Sequence, residues 1–98
     1  MDNINQQLSI PEKAQEDSNS FELVRVWIAQ KNQHSTIRTG VWDDPAAWGI
    51  FLADLAHHIV NSYEPKNESE KTAILQRIKL AFNLELDVPT DEPQGENL

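Results

Sequence analysis

One ten-residue run, residues 21–30 (FELVRVWIAQ), constrains the fold of this chain more than any other part of the sequence. β-branched and aromatic residues dominate the run, which predicts a β-strand. Side chains alternate between the faces of a strand, so Val24, Val26 and Ile28 share one face and Trp27 lies on the other. Both faces are apolar, which is unusual for a strand with one face in water. Each face of this strand therefore needs cover.

The segment after this strand predicts a β-hairpin. Residues 31–33 (KNQ) form the predicted turn, with Asn32 at a positive φ, because Asn tolerates the left-handed region better than most residues. The return strand is predicted over residues 35–39 and ends at Gly40. A turn at this place puts Arg25 opposite Arg38.

Two helices are predicted after the hairpin. Asp44 suits the N-cap and Pro45 the first helical position of a helix that runs to about Tyr63. The second helix runs from about residue 68 to 84 or 86, because Asn67 and Glu70 have the spacing of a capping box. The first helix has an apolar stripe at three- and four-residue steps. Its members are Trp48, Phe51, Leu52, Leu55, Ile59 and Tyr63.

The charge distribution separates a folded middle from acidic ends. Residues 1–20 hold four acids and one base, residues 87–98 hold four acids and no base, and residues 21–86 hold eight acids and seven bases. We therefore predict an α+β fold, a β-hairpin followed by two helices, with disordered acidic termini. The expected boundaries are a mostly disordered arm over 1–20 with a possible short helix after Pro11, a single domain over 21–86, and a disordered tail over 87–98.

The composition excludes several classes of function. The chain has 98 residues and no cysteine, so disulfides and thiolate chemistry are absent. A net charge of −8 with a nearly neutral middle opposes binding to nucleic acid or to an anionic membrane surface. The polar start carries no secretory signal, and no apolar run is long enough to cross a bilayer. We expect a cytoplasmic protein.

Two groups of residues are candidates for binding a ligand. Arg25 and Arg38 form the first group, because paired arginines repel unless an acid or an anionic ligand lies between them; Glu22, Asp43 and Asp54 are the candidate acids. The second group is the corner formed by Trp42, Asp43 and Trp48, where indoles and carboxylates could line a small pocket. The structural alternative is a helix start clamped by aromatic rings, with capping by Asp44 explaining the Asp-Pro pair.

A third cluster consists of Asp54, His57 and His58, spaced by three and four residues on the first helix. Two of the three could ligate one metal ion, whereas the simpler interpretation is an Asp–His hydrogen bond on the flank of the helix. The sequence contains no nucleophile elbow, P-loop or dinucleotide fingerprint. We therefore expect neither catalysis nor a cofactor.

The unusual strand also bears on assembly. A domain of about 66 residues is marginal on its own core. One face of the strand is expected to pack on Trp48, Leu52, Leu55 and Ile59 of the same chain, and the other face, or the strand edge, on a second copy. The preferred interpretation is a non-catalytic interaction or accessory protein that acts as a homodimer, with an unidentified protein as a possible further partner. The alternative is a small-molecule or anion binder that uses Arg25, Arg38 and the corner from Trp42 to Trp48.

Three motifs carry a resemblance to a known family. They are residues 22–27 (ELVRVW), residues 42–49 (WDDPAAWG) and residues 54–58 (DLAHH). The chain resembles a group of small bacterial proteins known only as a domain of unknown function, over roughly residues 8–86. This resemblance supports the domain boundaries and implies no activity, cofactor or partner.

Overall fold

The computed structural model describes residues 4–88 and 94–97 of the chain. A hairpin of strands β1 (Val24–Ala29) and β2 (Asn32–Ile37) is followed by helices α2 (Ala46–Ser62) and α3 (Glu68–Asp87). A short helix α1 (Glu12–Glu16) precedes the hairpin, and strand β3 (Gln94–Asn97) follows α3. The predicted α+β class, a β-hairpin followed by two helices, is confirmed.

The hairpin turn lies one residue earlier than the sequence predicted. Gln30 and Lys31 take φ values of 53° and 65°, whereas Asn32 is already the first residue of β2. Two successive residues at positive φ make a tight two-residue turn of the kind that suits the right-handed twist of the strands. The predicted pairing of Arg25 with Arg38 is therefore wrong, because Arg25 lies opposite Thr36. The register moves by two positions, so every side chain keeps its predicted face.

Helix α2 begins as predicted at the Asp-Pro pair. The Asp44 carboxylate accepts a hydrogen bond from the Ala46 N–H at 2.9 Å. Pro45 already has helical backbone angles, φ −56° and ψ −20°, so its missing N–H leaves no helical bond unmade. Asp44 thus acts as an N-cap, because its carboxylate accepts a hydrogen bond from one of the free N–H groups of the first turn.

Helix α3 begins with a reciprocal cap. The Asn67 side chain accepts from the Glu70 N–H at 2.9 Å, and the Glu70 carboxylate accepts from the Lys66 N–H at 2.7 Å. This is the predicted capping box with one change, since Glu70 reaches the residue before the N-cap. The helix ends at Asp87, one residue beyond the predicted domain boundary.

The ends of the chain differ in part from the prediction. Helix α1 lies where the sequence indicated a short helix in the arm. In the predicted disordered tail, residues 94–97 instead lie as strand β3, parallel to β2, which gives the sheet the order β1-β2-β3. Residues 1–3, 89–93 and 98 of the predicted termini lie outside the described residues.

The backbones of the sheet and of the helix pair do not come close to each other. Within the described residues, elements contact one another only between β1 and β2, between β2 and β3, and between α2 and α3. The expectation that β1 packs on α2 of its own chain is therefore wrong. Val60, in the contact between the helices, is 4% exposed and is the single buried apolar residue of the described chain. No helix among the described residues is long and apolar enough to span a membrane.

Candidate functional site

The two arginines of the hairpin converge on Glu22, the residue before the apolar core of β1. Arg25 donates from Nε to the Glu22 carboxylate at 3.2 Å, and its guanidinium forms an ion pair with the other carboxylate oxygen at 3.1 Å. Arg38 donates from Nε to the Glu22 backbone carbonyl at 2.9 Å. Of the candidate acids, Glu22 is the one that the fold places beside the arginines.

Backbone pairing explains why Arg38 reaches this site. The Arg38 N–H donates to the Leu23 carbonyl at 2.9 Å, which extends the ladder of the hairpin by one position beyond β2. The Arg38 guanidinium also lies 5.3 Å from the centre of the Phe21 ring, within the range of a cation–π contact. Sequence reasoning missed this contact, because it depends on the register of the hairpin and not on the spacing of residues in the chain.

These groups line an open cleft of about 470 Å³. Glu22, Arg25, Thr36, Arg38 and Thr39 supply its polar side chains. Both arginines use Nε in the bonds to Glu22, so their terminal N–H groups keep the geometry that matches a carboxylate or phosphate. The arginine side of the site is exposed, with 47% of the Arg25 side chain accessible to solvent, so its ion pair contributes little to stability.

The aromatic corner is a separate cluster at the start of α2. The rings of Trp42 and Trp48 meet edge to face with centroids 5.1 Å apart, and Phe51 completes the cluster at 5.6 Å from Trp48 and 6.5 Å from Trp42. Edge-to-face contacts of this kind are favourable beyond the area that they bury. The arginine cleft is not lined by Trp42, Asp43 or Trp48. The structure therefore does not bring this corner together with Arg25 and Arg38.

The histidine cluster lies on the outside of α2. Asp54, His57 and His58 are all exposed. Within the part of the chain that the structure describes, no three His, Cys, Asp or Glu side chains come together in a group able to hold a metal ion. The third histidine, His34, lies on β2 and forms a hydrogen bond with the Ala29 carbonyl at 3.1 Å.

A second cleft, of about 650 Å³, lies between the N-terminal arm and the hairpin. Two hydrogen bonds form within the arm. Ser20 Oγ donates to the Ala14 carbonyl at 2.6 Å, and the Gln15 side chain donates to the Ile10 carbonyl at 2.8 Å. The apolar lining residues are Leu8, Ile10, Phe21, Val24, Val26 and Trp27. Leu8 is 95% exposed, so this cleft presents apolar side chains that the described residues leave uncovered.

The fold and its surfaces define a small α+β protein with an arginine–carboxylate cleft and large uncovered apolar faces. Residues 7–90 match a family described as a domain of unknown function, DUF5076, and the chain belongs to this family. The resemblance seen in the sequence motifs is thereby confirmed. No curated protein matches the chain.

A solved structure from the photosynthetic bacterium Rhodopseudomonas palustrus is similar to this chain. It is described as a "putative pyruvate dehydrogenase", and that description applies to the solved protein. The two sequences are 28% identical, the match covers 88% of each chain, and the TM-score is 0.69. The likeness extends over nearly the full length of both chains.

Proposed function

We propose that this chain is a non-catalytic accessory protein that acts in the cytoplasm as a homodimer. The observation that supports the proposal is the amount of surface that a single chain exposes. Its accessible surface is 9,052 Å², whereas a folded monomer of 11.2 kDa has about 5,700 Å². Its radius of gyration is 15.8 Å, against about 13 Å for a compact domain of this length.

Much of the uncovered surface is apolar and lies in regular secondary structure. Val26 and Ile28 on β1 are 52% and 73% exposed, and Leu52 and Leu55 on α2 are 44% and 43% exposed. Exposed apolar surface on regular elements of this kind is a mark of a protein interface. A second copy of the chain is the favoured partner, because surfaces related by a two-fold axis are self-complementary.

Sedimentation equilibrium tests the proposal directly. We expect a species of twice the 11.2 kDa chain mass at micromolar concentration. The midpoint of thermal unfolding should rise with protein concentration, because dissociation and unfolding are coupled in an obligate dimer. A folded monomer whose midpoint is independent of concentration would contradict the proposal.

The second candidate function is anion binding in the arginine cleft. The observation that favours it is the convergence of Arg25 and Arg38 on one open cleft. Against it, the Glu22 carboxylate already neutralises part of the Arg25 charge, and the Glu22 backbone carbonyl already accepts a hydrogen bond from Arg38. The Trp42–Trp48 corner does not contribute to this cleft.

Titration with inorganic phosphate tests the second candidate function, anion binding in the arginine cleft. If the cleft binds anions, the Nε–H signals of Arg25 and Arg38 shift as phosphate is added and reach a plateau. In Arg38→Gln, the Arg25 signal should no longer shift. Glu22→Gln is the informative second variant, because removing the carboxylate charge should strengthen binding. If the arginines serve only the hairpin, phosphate leaves both signals unchanged in the wild type and in Glu22→Gln.

A further inference from the structure

We infer that the homodimer is intertwined, with the hairpin of each chain packed against helices α2 and α3 of the other. This inference rests on the proposed function and adds to it which surfaces meet. The occupant of the apolar hairpin face is thus a second copy of the helix pair. Four observations support this arrangement.

The first feature is that the hairpin is held away from its own helices. Residues 38–45 connect β2 to α2. Trp42 in this connection packs on Trp48 and Phe51 of α2, and Asp44 caps the first turn. The hairpin on the other side of this connection does not pack closely on α2 or α3 of the same chain.

The second feature is the match between the two uncovered surfaces. The apolar face of β1 extends from Val24 to Ile28, about 13 Å at the rise of a β-strand. The exposed stripe of α2 extends from Leu52 to Ile59, about 10 Å at the rise of a helix. Both are uncharged at their centres. A helix stripe is convex, and the arm and hairpin form a concave cleft of about 650 Å³ in which Val24 and Val26 are part of the wall.

The third feature is the area. The single chain exposes about 3,400 Å² more than a compact chain of its mass, the difference between 9,052 Å² and about 5,700 Å². Obligate homodimers bury about 2,000–5,000 Å² in total, which is about 1,000–2,500 Å² from each chain, so the excess on one chain is more than such an interface needs. Sheet pairing through the edge of β1 alone would leave the helix stripe uncovered. Mutual exchange covers the hairpin and the helices of both chains at once.

The fourth feature is the extent of the likeness to the solved structure. Residues 46–88, which contain both long helices, are 43 of 98 residues, a fraction of 0.44 (43/98). A TM-score cannot exceed the fraction of the chain that is superposed, so the observed 0.69 requires that residues outside the two long helices superpose together with them. A protein that is 28% identical thus shares more of this fold than the helix pair alone.

Cysteine cross-linking tests the exchange, and the chain has no native cysteine to interfere. In the double variant Val26→Cys/Leu55→Cys, a short bis-maleimide should link β1 of one chain to α2 of the other. We expect a covalent product of twice 11.2 kDa on a denaturing gel. The matched control is Thr36→Cys/Leu55→Cys, whose first thiol lies on the opposite face of the sheet, and its yield should be at least ten-fold lower.

The outcomes separate this inference from the proposed function. A monomer by sedimentation overturns both. A dimer whose double variant gives an internally linked product of 11.2 kDa overturns the exchange alone, because the hairpin then folds back on its own helices. A dimer in which Val26→Cys by itself is linked across chains also overturns the exchange and indicates pairing of the β1 edges.

A measurement on the wild-type protein covers the case in which these variants do not fold. A dimer is prepared from equal amounts of ¹³C-labelled and unlabelled chains, and isotope-filtered NOEs are recorded. Exchange predicts cross-chain NOEs from the methyl groups of Val26 and Ile28 to those of Leu52 and Leu55. The absence of these cross-chain NOEs in a sample that is dimeric overturns the inference.

Discussion

The helix pair and the hairpin of this protein are built by different means. The helix pair carries its own start signals, the Asp44 and Asn67 caps, its two helices contact each other, and Val60 of α2 is buried. The hairpin has a tight turn and a regular ladder, but among the described residues its apolar face does not pack on the helix pair. An isolated two-stranded hairpin is marginal in water. Local chemistry therefore specifies both halves, while only the helix pair has packing within its own chain.

This difference shows where a second chain would matter most. Stability of the helix pair should respond chiefly to substitutions in its own contacts. Stability of the hairpin should respond to protein concentration, because its cover comes from outside the chain. The predictions below test this contrast, starting from the largest expected effect.

The largest effect is expected from Val26→Glu in β1. Under the proposed dimer it places an unpaired carboxylate in the interface, which costs about 3–5 kcal/mol at each of the two equivalent sites. The dissociation constant should rise more than about 100-fold, since each tenfold change corresponds to about 1.4 kcal/mol. Sedimentation equilibrium across a range of concentrations measures this change.

The matched control for Val26→Glu is Trp27→Glu, one residue along the same strand and on the opposite face. Trp27 lies opposite His34, beside Thr36 and the arginine cleft. We expect Trp27→Glu to destabilise the sheet while the dissociation constant changes less than in Val26→Glu. An equal loss of association in both variants would show that the two faces of β1 are covered alike.

A smaller effect is expected within the helix pair from Trp48→Ala. The Trp48 ring touches both Trp42 and Phe51 and is half-buried, so its removal should cost about 3 kcal/mol or more. Denaturant unfolding measures the loss. Ile50→Ala on the exposed side of α2 is the control and should change the stability by about 0.5 kcal/mol or less. If Trp48→Ala leaves stability unchanged, the aromatic corner is not structural and its interpretation as a ligand pocket is favoured.

The contrast between the halves also explains what the sequence could predict. Helix starts depend on a few adjacent residues, so Asp44-Pro45 and Asn67 with Glu70 were predicted correctly. The turn was misplaced because Gln30 and Lys31, which have no left-handed preference, take the positive φ values beside a more obvious Asn32. The predicted faces of β1 are nevertheless correct, because the register shifted by two positions and side chains alternate with a period of two.

Long-range contacts were the part that local patterns did not predict. Apolar stripes on β1 and α2 each indicated burial, and the sequence suggested that they bury each other within one chain. The two elements that carry the stripes do not pack closely on each other within the described chain. Likewise, the Arg25–Glu22–Arg38 arrangement required the hairpin register, and β3 arises from a segment (QGEN) without strand propensity.

A moderate effect is expected from removing the helix caps. Asp44→Ala and Asn67→Ala should each cost about 1 kcal/mol, because each leaves a helix N–H without its acceptor. Asp43→Ala is the control for the first variant and should stay within about 0.5 kcal/mol of the wild type. Thermal unfolding followed at a helix-specific wavelength measures all three. Equal losses for Asp43→Ala and Asp44→Ala would contradict the capping role.

The smallest effect is expected at β3. Deleting residues 90–98 removes a short parallel strand at the sheet edge, and parallel pairs are slightly weaker than antiparallel ones. The unfolding midpoint should fall by less than about 5 °C, on the order of 1 kcal/mol. A larger fall would show that β3 is an integral part of the sheet.

A point substitution tests the same pairing by a different route. Gly95 has a φ of 135°, and a Cβ at this position would overlap the Ser35 carbonyl oxygen of β2. Gly95→Ala should therefore displace β3 without shortening the chain, and its midpoint should equal that of the deletion. If Gly95→Ala is much less stable than the deletion, the displaced strand disturbs β2. If it matches the wild type while the deletion does not, residues 90–98 stabilise the protein by contacts other than the β2–β3 pairing.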